Sequence, residues 1–287
     1  GIHFYTNRED TIADQEMTVE LSRIDLKQFK KVLPYLPDVE GWLGGSLHYV
    51  DSEGQMMLSA DMNLDNFVYE KSPLGNWTMS GAYLPGDNNA HHVDGFITYN
   101  DQEIIYMNGV YQANETGQEN ITGELELQHF PLRVINPFIP EKMVAFTGDI
   151  DGTLSMTGSP MKPILNGGLQ LDSVLMIMPD MSVGFRFDNK QVKMQDSKMV
   201  FDKFNIYTRG ETPFVVNGSV DFSDMEKMMV DLRMKTSNYE LMNAPKNRKA
   251  IMYGKIYVDV DATLNGPVDE LKMRGNMNVL GKTDFTY

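Results

Sequence analysis

Two adjacent histidines, His91 and His92, stand beside Asp87 and Asp94, residue types that can ligate a transition metal when they converge on one point. Neighbours in an Asn-rich stretch seldom converge, so no metal site is expected there. Asp149 and Asp151 alternate within residues 148–152 in a pattern superficially like a calcium loop. The twelve-residue spacing with its closing Glu is missing, and a solvated strand face is the simpler expectation. Catalysis would need a nucleophile beside a base, or two carboxylates held in one pocket. No such constellation is legible, because the acids are spread along the chain and the serines sit in turns. The absence of cysteine removes thiolate nucleophiles, disulfides and cysteine zinc sites together. It leaves the redox compartment open. Asn76, Asn114, Asn120 and Asn217 begin Asn-x-Ser/Thr triplets, which are common by chance. Lys246, Asn247, Arg248 and Lys249 form the one basic cluster, most simply a solvated loop. No catalytic residue, no metal ligand and no cofactor is therefore assigned, and a binding or conduit role is favoured over an enzyme.

The scaffold that would serve such a role is bounded by composition. The chain has 287 residues, 41% hydrophobic and 23% charged, which suits a folded protein and not a disordered one. Its longest apolar run, residues 174–178, falls far short of the roughly 20 residues of a membrane-spanning helix. A net charge of -15 would repel a phosphate backbone, so no nucleic acid partner is expected. The abrupt start at Gly1 suggests an excerpt of a longer chain. Methionine is unusually abundant, at 22 residues, and suits apolar surfaces that adapt to irregular partners.

Alternation with period two recurs from end to end, the signature of half-buried strands. Phe214, Val216, Gly218, Val220 and Phe222 share one face, opposite Val215, Asn217, Ser219 and Asp221. Val230 and Leu232 stand opposite Asp231 and Arg233; Ile256 and Val258 stand opposite Tyr257 and Asp259; Met273 and Met277 stand opposite Lys272, Arg274 and Asn276. Charges on every second residue disfavour a parallel sheet buried between helices. Helical spacing is confined to residues 24–36, stopped by Pro34 and Pro37, with weaker candidates at 132–139 and 239–242. Each precedes a Gly-rich strand.

That order predicts a repeat. Gly45 and Gly152, Leu47 and Leu154, Met62 and Leu169, Leu64 and Leu171, and Asp65 and Asp172 are all 107 residues apart. A third copy aligns Gly167 with Gly275 and Leu169 with Met277 at 108, and Leu154 with Leu264 at 110. The expected organisation is a strand region over 1–23, a first repeat over 24–129, a second over 130–237 and a partial third over 238–287. The expected fold class is all-β, an elongated array of amphipathic strands with a few short helices. Its apolar face is covered either by another sheet or by a ligand. Met17, Met62, Met156, Met228, Met234, Met273 and Met277 all take the inward parity, which leans toward a ligand.

Residues 152–171, GTLSMTGSPMKPILNGGLQL, resemble the repeating unit of the TamB and AsmA-like proteins of diderm bacterial envelopes: Gly-x-Leu, a Gly turn, Pro, then an apolar-x-Gly-x-apolar strand. Residues 130–146 are similar to that family's short helix leading into a Gly-rich strand. The likeness covers 24–65 and 130–280 well and 70–120 poorly. It implies a β-taco, a U-shaped sheet whose apolar groove carries phospholipid acyl chains across the periplasm and supports outer-membrane protein assembly. It also implies an inner-membrane anchor outside this excerpt and an outer-membrane β-barrel partner of the TamA type. The family supplies no catalytic motif.

The inward parity nominates Leu154, Met156, Leu169, Leu171, Val216, Val220, Val230, Leu232, Ile256, Val258, Met273 and Met277 as groove-lining residues. Rows of Leu, Val, Met and Ile give contacts that are continuous yet individually weak, as transport requires. Charges at Val216 and Val230 should then abolish lipid binding without unfolding. The alternative is a closed β-sandwich or solenoid, a scaffold or adhesin-like module in which the same charges would unfold the protein.

Overall fold

The computed structural model describes residues 1–6, 15–32, 35–52, 54–113, 117–139, 144–179, 183–224, 226–246 and 253–286. These residues are nearly all β: 18 strands in antiparallel ladders, with short helical turns between some of them. They form two compact units, residues 1–128 with 155–161, and residues 129–154 with 162–287.

The first unit is a meander of β1 (Ile2–Thr6), β2 (Gln15–Asp25), β3 (Val39–Ser52), β4 (Gln55–Tyr69), β5 (Ser72–Pro85), β6 (Ala90–Tyr99), β7 (Gln102–Ala113) and most of β8 (Glu119–Pro131). Each strand pairs antiparallel with the next. Tight two-residue turns set the register: Glu70 and Lys71 have φ of 46° and 67°, Asn100 and Asp101 of 48° and 67°. Positive φ at both positions matches the right-handed twist of the flanking strands.

The second unit contains most of β9 (Ala145–Ser159), then β10 (Lys162–Met178), β11 (Val183–Phe187), β12 (Val192–Gln195), β13 (Lys198–Tyr207), β14 (Phe214–Asp221), β15 (Met229–Ala244), β16 (Tyr253–Pro267), β17 (Lys272–Val279) and β18 (Asp284–Thr286). Two long strands each carry two short ones in series. β10 pairs with β11 through Met176 and Phe185, and with β12 through Leu169 and Val192. β16 pairs with β17 through Val260 and Met277, and with β18 through Gly254 and Phe285.

The alternation survives register shifts because an extra residue is absorbed at bulges. Arg23, Asn66, Lys203 and Asn238 sit at these shifts with φ between 45° and 57°. A bulge leaves one backbone group outside the ladder, and a side chain from the next strand takes it up. Asn66 N–H donates to Asn76 Oδ1 at 2.8 Å, Lys203 N–H to Asn217 Oδ1 at 2.9 Å and Asn238 N–H to Asp259 Oδ1 at 2.6 Å. His129 repeats the device: its φ is 47° and its N–H donates to Asp151 Oδ1 at 2.7 Å.

Gly45 and Gly152 share one backbone detail. Their φ values are 138° and 155°, and a Cβ on either would lie 2.2 or 2.3 Å from a carbonyl oxygen of the paired strand, Asp61 O or Gly168 O. Those two oxygens are themselves 107 residues apart. Gly167 and Gly275 match likewise against Thr153 O and Asp261 O, 108 apart. This places Ala262, not Leu264, at the position equivalent to Leu154, because each lies next to the corresponding glycine. The 110-residue offset of the third alignment thus becomes 108.

Two expected helices differ from the structure. Strand β2 runs through Asp25, whose carboxylate caps a 3-10 turn at Leu26–Gln28 by accepting Lys27 N–H at 3.0 Å; one helical turn follows at Phe29–Val32. Leu33 and Pro34 lie outside the described residues. Leu132–Phe138 is a 3-10 helix, in the place the spacing indicated. Tyr239 and Met242, by contrast, lie inside β15. Register shifts between Thr236 and Tyr239 and between Glu240 and Met242 put apolar residues three apart on one strand face. Paired bulges thereby imitate helical spacing.

Candidate functional site

Strand register stacks the inward residues of the first unit into transverse rows. One row runs Gly45, Met62, Met79, Ile97, Ile105, Leu127; the next runs Leu47, Ala60, Gly81, Gly95, Met107, Leu125. Neither row holds an ionisable side chain. Residues of the alternate parity carry the polar groups: Ser80 Oγ donates to Asp61 Oδ1 at 2.6 Å, and Tyr106 OH donates to Asp94 Oδ2 at 2.7 Å.

Although apolar, this face is not filled. Met79 is 48% exposed and Val93 47%. Leu58, Ala60, Tyr83 and Met107 border a concavity of about 250 Å³ above Gly81 and Gly95. Those glycines pair directly across β5 and β6, so two missing side chains lower the floor at one point. A Cβ at Gly95 would come within 2.9 Å of Ser80 O, which keeps that floor bare. Met156 reaches the same face from β9: its methyl carbon lies 3.7 Å from where a Cβ on Gly123 would sit.

The second unit uses the same parity differently. Val192, Phe204 and Val216 form a buried cluster with Leu171, Leu232 and Met234 packed against it. Val183 of β11 meets Met242 and Ala244 of β15, with Phe185 and Ile256 alongside. Here inward side chains cover one another. Val216, Val230 and Val258 are accordingly buried, at 6%, 7% and 1% exposure, and do not line open space. Leu154, Leu169 and Val220 are half-buried. Met273 and Met277 are open to solvent at 65% and 61%. The nominated groove residues thus divide among a closed core, an intermediate zone and an exposed strand. Charges at Val216 and Val230 would test folding and not lipid contact, because a buried unpaired charge is costly in any β core.

Tyr239 is buried in this core, its ring edge-on to Phe214 with centroids 5.5 Å apart. Among the described residues its hydroxyl has no hydrogen-bond partner, and the nearby Thr208 hydroxyl donates to Glu240 O. Burial pushes the phenol pKa up to about 12. The folded value therefore exceeds the ordinary 10, and the resulting stability is present below pH 10 and lost as pH rises toward 12. Tyr239→Phe should leave the neutral-pH Tm equal or raised, since an unpaired buried hydroxyl is removed. Its Tm should also fall less steeply between pH 10 and 12, as read by thermal unfolding monitored with circular dichroism.

The histidine pair does not converge. His91 and His92 are successive residues of β6, so their side chains leave opposite faces. They lie in a strand, not in the Asn-rich loop expected there. Asp151 is occupied by His129, accepting its N–H and facing its ring Nδ1 at 3.2 Å. No group of three metal-ligating side chains occurs among the described residues. Lys246 stacks over Tyr253 at 5.4 Å, while Asn247, Arg248, Lys249 and Asn114 lie outside the described residues.

The glycine floor and its borders, Leu58 and Ala60 excepted, fall between residues 70 and 120, the stretch where the resemblance is poorest. A signal was present: Trp77, Met79, Gly81 and Tyr83, then Val93, Gly95 and Ile97, alternate as cleanly as any other strand. No helix among the described residues is long and apolar enough to cross a membrane. Compared with protein-family models, curated proteins and solved structures, the chain matches none.

Proposed function

We propose that the chain is a periplasmic segment of a TamB-like protein and that its first unit conducts phospholipid acyl chains along an open apolar β face. The observation that carries this reading is the exposure of two adjacent rows free of ionisable side chains from β3 to β8, with Met79 in one of them and Val93 beside them about half exposed. Apolar surface left open to water in this amount calls for an occupant. Each acyl methylene buried gains about 0.8 kcal/mol, so covering a portion of a tail competes locally with a bilayer. The acidic balance of the chain, -15, discourages adsorption to an anionic leaflet through its polar surface. Lipid would then meet the protein through the apolar face. The reading includes no catalytic step and no cofactor. Its wider partners are an outer-membrane β-barrel of the TamA type, whose assembly work it supports, and an inner-membrane anchor.

Native mass spectrometry with lipid extraction tests the proposal. The wild-type chain should carry phospholipid, and the double variant Met79→Glu/Met107→Glu should lose it while keeping the wild-type Tm, because both side chains are exposed. A clean apo mass for the wild type, together with no labelling by a photoreactive phospholipid, rejects the conduit. One observation favours a second reading, a scaffold with no conduit: in the second unit Val183 packs on Met242 and Ala244, closing inward residues on each other. That apo outcome would select it.

A further inference from the structure

Beside the glycine floor, the apolar face of the first unit ends in polar aromatic groups. The next two rows contain Tyr83, Val93, Gly109 and Gly123, then Pro85, His91, Tyr111 and Ile121. Tyr83 and His91 stack with centroids 5.7 Å apart and ring planes at 15°, and Tyr83 OH lies 2.6 Å from His91 Nδ1. Tyr111 packs on the other side of the imidazole at 5.7 Å, its own hydroxyl donating to Glu119 Oε1 at 2.9 Å. The imidazole is therefore fixed between two rings. In the tautomer whose Nδ1 accepts from Tyr83 OH, the neutral ring carries its proton on Nε2. That N–H is a donor with no partner among the described residues. His91 is also the one basic side chain in the four rows.

We propose that this lip is a headgroup subsite: the Nε2–H of His91, held by Tyr83 and Tyr111, donates to the phosphate of a lipid whose tail lies over Gly81 and Gly95. The shape is that of an amphiphile. Tyr83 borders both the concavity and the lip, so tail and head sites are contiguous. Tyrosines suit such a boundary, having an apolar ring and a wet hydroxyl. The Glu119 carboxylate is engaged by Tyr111. The proposal rests on the open-face reading above and adds polarity to it: the lipid lies in one orientation, head toward His91.

Isothermal titration of the 287-residue chain with dodecyl phosphate and with dodecanol, both kept monomeric, separates head from tail. Dodecyl phosphate should bind about tenfold more tightly, the worth of one hydrogen bond to a charged group. His91→Leu should abolish that preference while leaving the dodecanol Kd unchanged. His91→Gln, which keeps an N–H donor, should retain some of it. Inorganic phosphate alone should neither bind nor displace dodecanol. Equal affinities for the two amphiphiles in the wild type would overturn the subsite and leave the conduit standing. Binding of inorganic phosphate as tight as that of dodecyl phosphate would overturn it in favour of a free-anion site. Failure of both amphiphiles to bind would overturn both readings.

Discussion

Replacing Phe204 by Ala should destabilise the second unit by about 3 to 5 kcal/mol, the range for truncating a buried aromatic that leaves a cavity. Phe204 is 6% exposed and joins Val192 and Val216 at the centre of the buried cluster. Its ring meets Phe201 edge-on at 5.5 Å and Phe187 at 6.0 Å, contacts that add to simple burial. The site collapses poorly, because β13 is pinned on both sides: it pairs with β12 and β11 at one edge and with β14 at the other. The measurement needs a suitable probe. Both tryptophans, Trp42 and Trp77, belong to the first unit, so their fluorescence does not report this core. Amide hydrogen exchange in β13 and β14, followed by mass spectrometry, does. Protection there should drop by about two to four orders of magnitude, the exchange equivalent of the lost stability.

Gly45→Val should cost about 4 kcal/mol or more. A φ of 138° is open to glycine and strained by roughly 1 to 3 kcal/mol for other residues. Sterics add to the strain, since the new Cβ would stand 2.2 Å from Asp61 O and 2.8 Å from Met62 Cα, both backbone atoms of β4. No rotamer relieves a clash at Cβ, so β3 must separate from β4 and give up ladder hydrogen bonds. Tryptophan fluorescence during urea unfolding suits this case, because Trp42 lies three residues away in β3. Gly109→Ala is the control in the same unit: its Cβ would meet nothing closer than Thr122 O at 3.4 Å, an ordinary contact, and its unfolding free energy should change by no more than about 1 kcal/mol. If Gly45→Val unfolded at the wild-type urea concentration, the close approach of β3 and β4 would not be a constraint on this fold.

Much of this architecture is legible from one period. Residues 214–222 and 256–264 alternate without interruption, and in the structure each set of apolar residues shares a face, as the pleat requires. Trouble begins where the period breaks. Tyr239 and Met242 read as a helical turn because two bulges shift the phase of β15, and a bulge has no composition of its own. The acceptor that satisfies the first of them, Asp259 for the Asn238 N–H, lies on another strand and is found only once the pairing is known. The candidate site shows a second limit. Val216 and Met277 have the same parity and similar neighbours, yet one is buried in a cluster and the other is 61% exposed. Parity tells which face a side chain takes; it carries no information about whether another strand crosses over that face. The His91 lip was hidden for a related reason, since Tyr83, His91 and Tyr111 come from three strands and meet only through register.

The meander of the first unit, in which every strand from β1 to β8 hydrogen-bonds to its immediate successor, has a mechanical consequence. Tension applied across the strands loads the ladder at the outermost one, whose hydrogen bonds break in succession instead of shearing together. The unit therefore yields by peeling. Each freed hairpin, such as the 31 residues spanning β4 and β5, releases roughly 100 Å of slack and lowers the tension on what remains. A tether built this way lengthens stepwise under load while the strands behind the fracture keep their apolar face, and it can reseal strand by strand when the pull relaxes.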